Sequence, residues 1–82
     1  MRLYKLSQDV NNDYDTYDAC VVVAKDAAQA RRFHPGGFED WETEEGFQSS
    51  WANNCTQVKV TYIGEAHTGM DAGVVLASYN AG

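Results

Sequence analysis

The stretch that decides the fold is residues 16–24, TYDACVVVA. β-branched side chains dominate it, and Val21, Val22 and Val23 put apolar groups on both faces of an extended strand. Such a pattern is typical of a central strand covered on two sides. We therefore predict a central strand here, with a layer packed on each side of its sheet.

Three further segments are predicted to be strands: residues 2–7, 57–63 and 74–79. In the first, Leu3 and Lys5 point to one face while Tyr4 and Leu6 point to the other. The segment QVKVTYI at 57–63 alternates apolar and polar residues over most of its length, which is typical of a half-exposed strand.

A helix is predicted directly after the central strand. Asp26 can accept a hydrogen bond at its N-terminus, and Gln29 three residues later completes a capping pattern. The helix should be about nine residues long and stop at His34-Pro35-Gly36-Gly37. The residues that should face the sheet are Ala27, Ala30 and Phe33.

Together these elements predict one α+β domain over residues 1–82, in the order β-β-α-β-β. Its core is a four-stranded, mainly antiparallel sheet with one helix and an aromatic, acidic insertion after the helix. Within the insertion, residues 38–45 are predicted to form a turn or hairpin and residues 47–53 a helical turn. One short helix covers only one sheet face, so the insertion or a second copy of the chain must cover the other.

The acidic residues are concentrated in two stretches that contain no Lys or Arg. The net charge is −6, from 12 Asp+Glu against 6 Lys+Arg. Between Lys5 and Lys25, and between Arg32 and Lys59, lie Asp9, Asp13, Asp15, Asp18, Glu39, Asp40, Glu42, Glu44 and Glu45. An acidic surface repels phosphates, so we expect no direct nucleic-acid binding and no membrane binding. A basic protein surface is the expected partner.

We predict that these stretches form one partner-binding face. Spaced carboxylates can imitate a phosphate backbone and occupy a Lys/Arg-lined channel, and an aromatic side chain can anchor the contact. The predicted partner-binding residues are Asp13, Asp15, Asp18, Glu39, Asp40, Trp41, Glu42, Glu44 and Glu45. This prediction requires the two stretches to share a face; otherwise the acids only keep a small domain soluble.

No pattern in the chain indicates catalysis or a resident metal. His34 and His67 lie at no ligand spacing from each other or from a cysteine, and no glycine-rich phosphate loop is present. We therefore expect no enzyme activity and no cofactor. The N-terminus lacks the apolar core of a signal peptide, which predicts a cytoplasmic protein whose Cys20 and Cys55 are reduced thiols.

Four segments resemble a family of small uncharacterised proteins encoded by bacteriophages and prophages. They are LYKLSQDVNNDYDTYDACVVVA at 3–24, ARRFHP at 30–35, VTYIGEA at 60–66 and GVVLASYNAG at 73–82. The family has no assigned activity, so the resemblance implies a setting and no functional residues. Small acidic phage proteins without enzyme signatures are often inhibitors of host machinery, including anti-CRISPR proteins that act as DNA mimics.

Two other functions fit the sequence. A sponge for a nucleotide signal would need cations, for which Lys25, Arg31 and Arg32 form the one available cluster. A subunit of a larger assembly would instead leave an apolar sheet face uncovered in the monomer.

Overall fold

The computed structural model describes residues 1–12, 14–43 and 50–80. The elements in chain order are β1 (Arg2–Ser7), β2 (Thr16–Ala24), α1 (Ala27–Arg31), β3 (Phe33–His34), β4 (Phe38–Glu39), β5 (Lys59–Glu65) and β6 (Gly73–Asn80). Short 3₁₀ turns occur at Trp41–Thr43 and Cys55–Gln57.

The main sheet has the strand order β5-β1-β2-β6, and every neighbouring pair is antiparallel. β2 is central and is the longest strand, as its sequence predicts. The predicted strands at 2–7 and 16–24 have those bounds, whereas the last two are shifted or lengthened to 59–65 and 73–80. The α+β class and the four-stranded antiparallel sheet are therefore confirmed.

The helix is shorter than predicted. α1 has five residues, and Ala27 at its start is exposed instead of facing the sheet. The N-terminal prediction is confirmed, because the Asp26 side chain accepts a hydrogen bond from the Gln29 N–H at 2.8 Å. The early end has a local cause, since a residue before proline, here His34, avoids the helical conformation.

Instead of ending the helix, residues 33–34 form β3, which pairs with β4. These two short strands make the chain order different from the predicted β-β-α-β-β. The predicted hairpin at 38–45 therefore begins earlier, and residues 41–43 form a 3₁₀ turn. Residues 47–49 of the predicted helical turn at 47–53 lie outside the described residues, and residues 51–53 are not helical.

The core lies on one face of the sheet. Its buried residues are Tyr4, Leu6, Cys20, Val22, Ala24, Ala30, Phe33, Trp41, Trp51, Ala52 and Val58. α1 and the described part of the insertion both pack on this side, and both tryptophans are fully buried. The insertion therefore does not cover the opposite side of the sheet in the part that the structure describes.

That opposite side, the outer face, consists of three cross-strand rows fixed by the strand register. The rows are Lys59-Ser7-Ala19-Ser78, Thr61-Lys5-Val21-Leu76 and Gly64-Leu3-Val23-Gly73. β5 and β6 lie at opposite sheet edges, so residues 66–72 cross the strand ends nearest the third row. The residues of the first two rows are exposed or half-buried, and Leu76 is 68% exposed, whereas Val23 in the third row is fully buried.

Candidate functional site

The first acidic stretch ends at the junction of β2 and β6. Asp15 has a φ of 61°, and its backbone N–H donates to the Asn80 carbonyl at 2.7 Å. The Tyr79 hydroxyl donates to Asp15 Oδ1 at 3.1 Å. Desolvation and this hydrogen bond raise the pKa of Tyr79, so the phenol stays a donor. The exposed Asp15 carboxylate is thereby held in one place at the sheet edge.

Asp18 lies at a bulge in β2. The β2–β6 register skips it between Tyr17 and Ala19, and its carbonyl accepts from the Gln8 N–H at 3.2 Å. Bulges re-aim a side chain relative to the regular pleat. The Asp18 side chain is exposed. Asp13, also predicted for this site, lies outside the described residues.

The second stretch begins with two carboxylates that share one guanidinium. Arg32 Nη2 lies 3.0 Å from Glu39 Oε2, and its Nε lies 3.4 Å from Asp40 Oδ1. The hydrogen bond with Glu39 is the main cause that raises the pKa of Arg32. All three side chains are well exposed, so the pairs orient the carboxylates more than they stabilise the fold.

Glu42 is the next acid and connects the insertion to its far end. Its Oε2 accepts a hydrogen bond from the Cys55 N–H at 2.6 Å. Burial, followed by the nearby Glu42 carboxylate, raises the pKa of the Cys55 thiol. A shallow groove between these groups is lined by Arg32, Asp40, Glu42, Thr43 and Cys55. Glu44 and Glu45 lie outside the described residues.

The prediction that Trp41 is a surface anchor is wrong. Trp41 is fully buried, and its indole Nε1 donates to the Arg31 carbonyl at 3.3 Å. Burial of so large an apolar side chain stabilises a small core more than exposure to a partner would. Among the described residues, the aromatic side chains exposed near these acids are Tyr14 at 77%, Tyr79 at 49% and Phe38 at 47%. None of these three was predicted as a binding residue, although Tyr14 and Phe38 lie next to acids in the sequence, which was an available signal.

A row of ring contacts connects the two acidic stretches. Tyr79 packs on Tyr17 with centroids 4.8 Å apart, Tyr17 on His34 at 5.6 Å, and His34 on Phe38 at 6.1 Å. Asp15 is bonded to one end of this row and Glu39 follows the other. The described ends of the two stretches therefore belong to one continuous part of the molecule.

Ser50 and His34 are within hydrogen-bond distance, but the geometry does not favour nucleophilic catalysis. His34 Nε2 lies 3.0 Å from Ser50 Oγ, while the Gly36 N–H donates to His34 Nδ1 at 2.9 Å. In a neutral ring, Nδ1 is then the acceptor and Nε2 carries the proton. Such a histidine donates to the serine and cannot take its proton.

The comparisons with known proteins add no family. No protein-family model, curated protein or solved structure matches this chain. Among the described residues, no three His, Cys, Asp or Glu side chains form a metal-binding group. Within the same residues, no helix is long and apolar enough to span a bilayer.

One cation of the cluster required for a nucleotide sponge already has carboxylate partners within the protein. Arg32 is paired with two carboxylates, and Arg31 is half-buried. Lys25 remains exposed at the start of α1. A phosphate at this cluster would compete with carboxylates already in place, so the geometry does not favour the sponge function.

Proposed function

We propose that this chain is a non-enzymatic, phage-type inhibitor that binds a basic surface of a host protein. The target would be a defence complex or a nucleic-acid-handling protein in the host cytoplasm, and the acidic stretches would imitate the phosphates of DNA, as anti-CRISPR DNA mimics do. No cofactor takes part, and the inhibitor itself binds neither nucleic acid nor membrane.

The observation that carries this proposal is the charge imbalance at the site. Among its described residues, five exposed carboxylates accompany one paired guanidinium, that of Arg32. The carboxylates belong to Asp15, Asp18, Glu39, Asp40 and Glu42. The positive φ of Asp15, the bulge at Asp18 and the hydrogen bond from Tyr79 fix the positions of these carboxylates. Little side-chain order therefore has to be gained on binding.

Electrostatic attraction of this kind acts mainly on the association rate. Complementary charges can raise it by one to several orders of magnitude at low salt. Salt shortens the range of attraction, from about 10 Å at 0.1 M to about 4 Å at 0.5 M. Strong salt dependence is therefore the property that distinguishes a phosphate mimic from an acidic but inert surface.

The test is affinity capture from a bacterial lysate on the immobilised chain, at about 0.1 M and about 0.5 M salt. We expect captured proteins to be nucleic-acid-binding, to be lost at high salt, and to be released by duplex DNA. The double variant Asp15→Asn/Asp18→Asn, which removes charge but keeps side-chain shape, should bind an identified target with an association rate lower by about tenfold.

The matched control is the double variant Glu65→Gln/Asp71→Asn, which removes the same charge away from the site. Its association rate should stay within about twofold of the parent at the same salt concentration. Capture that resists high salt, duplex DNA and the Asp15/Asp18 neutralisation would contradict the proposal.

A second function, as a subunit of a larger assembly, is favoured by a separate observation. Leu76 on the outer face is 68% exposed, and Val75 and Ile63, which lie at bulges of the two edge strands, are about half exposed. Exposed apolar side chains grouped on one sheet face often mark an interface between proteins.

A further inference from the structure

The outer face differs chemically from the rest of this acidic protein. None of the residues in its three register rows is acidic, and two of them, Lys5 and Lys59, are basic. The described residues place no carboxylate within ion-pair distance of either lysine. Two copies meeting through this face would therefore keep the acids of their insertions apart and avoid part of the repulsion between two chains of charge −6.

The shape of this face suits packing against a second sheet. Small residues occupy the first row beside Lys59, namely Ser7, Ala19 and Ser78. Such a row lets another sheet approach to the usual distance of about 10 Å. In the middle row, Val21 and the exposed Leu76 provide the apolar centre, and a shallow apolar groove runs between them and Lys5.

The broad side of the molecule is nearly as large as the area that one partner buries in a standard dimer. The molecule measures 36 × 24 × 17 Å between Cα extremes, and the shortest extent corresponds to two stacked layers. The broad side, which includes the outer face and the crossing at 66–72, therefore covers roughly 700 Å², against about 800 Å² per partner in a standard interface.

One arrangement of two copies keeps the lysines of the two faces from lying on one another. With a two-fold axis parallel to the strands, the β5–β1 half of each copy lies on the β2–β6 half of the other. Lys5 of each copy then lies over Val21 of its partner, so its methylene groups pack on apolar surface while the ammonium reaches the rim. Thr61 of each copy lies opposite Leu76 of its partner.

We propose that this protein forms a symmetric dimer through the outer face of its sheet, with the two-fold axis parallel to the strands. Burial of Leu76 and Val21 drives the association. The acids of the insertion, Glu39, Asp40 and Glu42, belong to the part of the chain that packs on the core side and stay outside this interface. The proposal therefore neither requires nor excludes the inhibitor function.

The test is the solution mass across protein concentrations from about 10 µM to about 1 mM, under reducing conditions. We expect twice the monomer mass of 9.1 kDa at high concentration. Leu76→Lys, a change at a mostly exposed side chain, should raise the dissociation constant at least tenfold by burying an extra cation beside Thr61 and Lys5 of the partner. Val10→Lys, at an exposed loop residue away from the sheet, should leave it within twofold.

A second variant tests whether the two-fold axis of the dimer runs parallel to the strands. Leu76→Lys combined with Thr61→Glu should recover most of the lost affinity, because the new charges meet only across the dimer. In one chain these residues lie on opposite edge strands and cannot pair. A mass of 9.1 kDa at every concentration, or a dimer unaffected by Leu76→Lys, would overturn the proposal. If Leu76→Lys weakens the dimer and the double variant does not restore its affinity, the two-fold arrangement would be overturned.

The dimer and the inhibitor function are expected to respond to added salt in opposite ways. Added salt screens the repulsion between two acidic copies and should strengthen the dimer, whereas it should weaken binding to a basic target. Failure of either proposal can thus be seen independently of the other.

Discussion

The two thiols are kept unreactive by different surroundings. Burial raises the pKa of the Cys20 thiol to about 12, and Cys20 is only 3% exposed. The thiol of Cys55 is half-buried and donates to the Arg31 carbonyl at 3.4 Å, with the Glu42 carboxylate nearby. Since the thiolate is the reactive form, a raised pKa lowers reactivity at any given pH.

Glu42→Gln should therefore make Cys55 more reactive. The amide keeps a hydrogen-bond acceptor for the Cys55 N–H but removes the negative charge that raises the thiol pKa. The alkylation rate of Cys55 should rise at pH 8, and its pH profile should move to lower pH. Iodoacetamide kinetics followed by mass spectrometry measures this, with Cys20 in the same chain as an unreactive internal control. An unchanged profile would contradict the electrostatic contribution of Glu42.

The buried tryptophans should differ in their contribution to stability. Trp41 Nε1 donates to the Arg31 carbonyl, whereas Trp51 Nε1 is buried without a hydrogen-bond partner among the described residues. Changing either to Phe removes similar volume, but only Trp41→Phe removes a hydrogen bond. We expect Trp41→Phe to reduce the free energy of unfolding by about 1 kcal/mol more than Trp51→Phe. Urea unfolding followed by far-UV circular dichroism measures the free energy of unfolding of both variants. An equal loss in the two, or a larger loss for Trp51→Phe, would contradict this prediction.

Among the elements, α1 depends most on its ends because it has only five residues. The Gln29 N–H donates to Asp26 Oδ1, and the Gln29 side chain accepts from the Lys25 N–H, both at 2.8 Å. Asp26→Ala should reduce the free energy of unfolding by about 1 kcal/mol, while Asp26→Asn, which keeps an acceptor, should cost much less. Urea unfolding of both variants, with Asp71→Ala as a surface control, measures the cap. An equal loss in the free energy of unfolding for Asp26→Ala and Asp26→Asn would contradict the capping role of Asp26.

Alternation and capping residues were sufficient to predict the main sheet and the start of α1, because both depend on neighbours close in sequence. β3 and β4 were missed because two-residue strands have no periodicity. The restriction that Pro35 places on His34 was the available signal for them. Trp41 was misread for a related reason: its acidic neighbours indicated a surface residue, whereas its burial depends on packing against distant strands.

At the scale of the whole molecule, β2 has the composition of a strand covered on both sides, yet the described chain covers its outer side only in part, at Val23. The sequence predicted that a second layer is needed but not which part of the chain would supply it. A domain of this size buries only about 60% of its unfolded surface, so its stability as a monomer is limited. Dimer formation through the outer face would add apolar burial where the monomer lacks it.

The thermal unfolding midpoint should therefore depend on protein concentration. If the dimer is the most stable folded form, mass action stabilises it further as concentration rises, and the midpoint should increase by about 3 °C for each tenfold increase. Leu76→Lys should make the midpoint nearly independent of concentration, while Val10→Lys should preserve the dependence. Differential scanning calorimetry under reducing conditions measures this in all three proteins. A parent midpoint that stays constant over a hundredfold range would show that dimer formation does not stabilise the fold, because a dimer that buries Leu76 must resist unfolding more as its concentration rises.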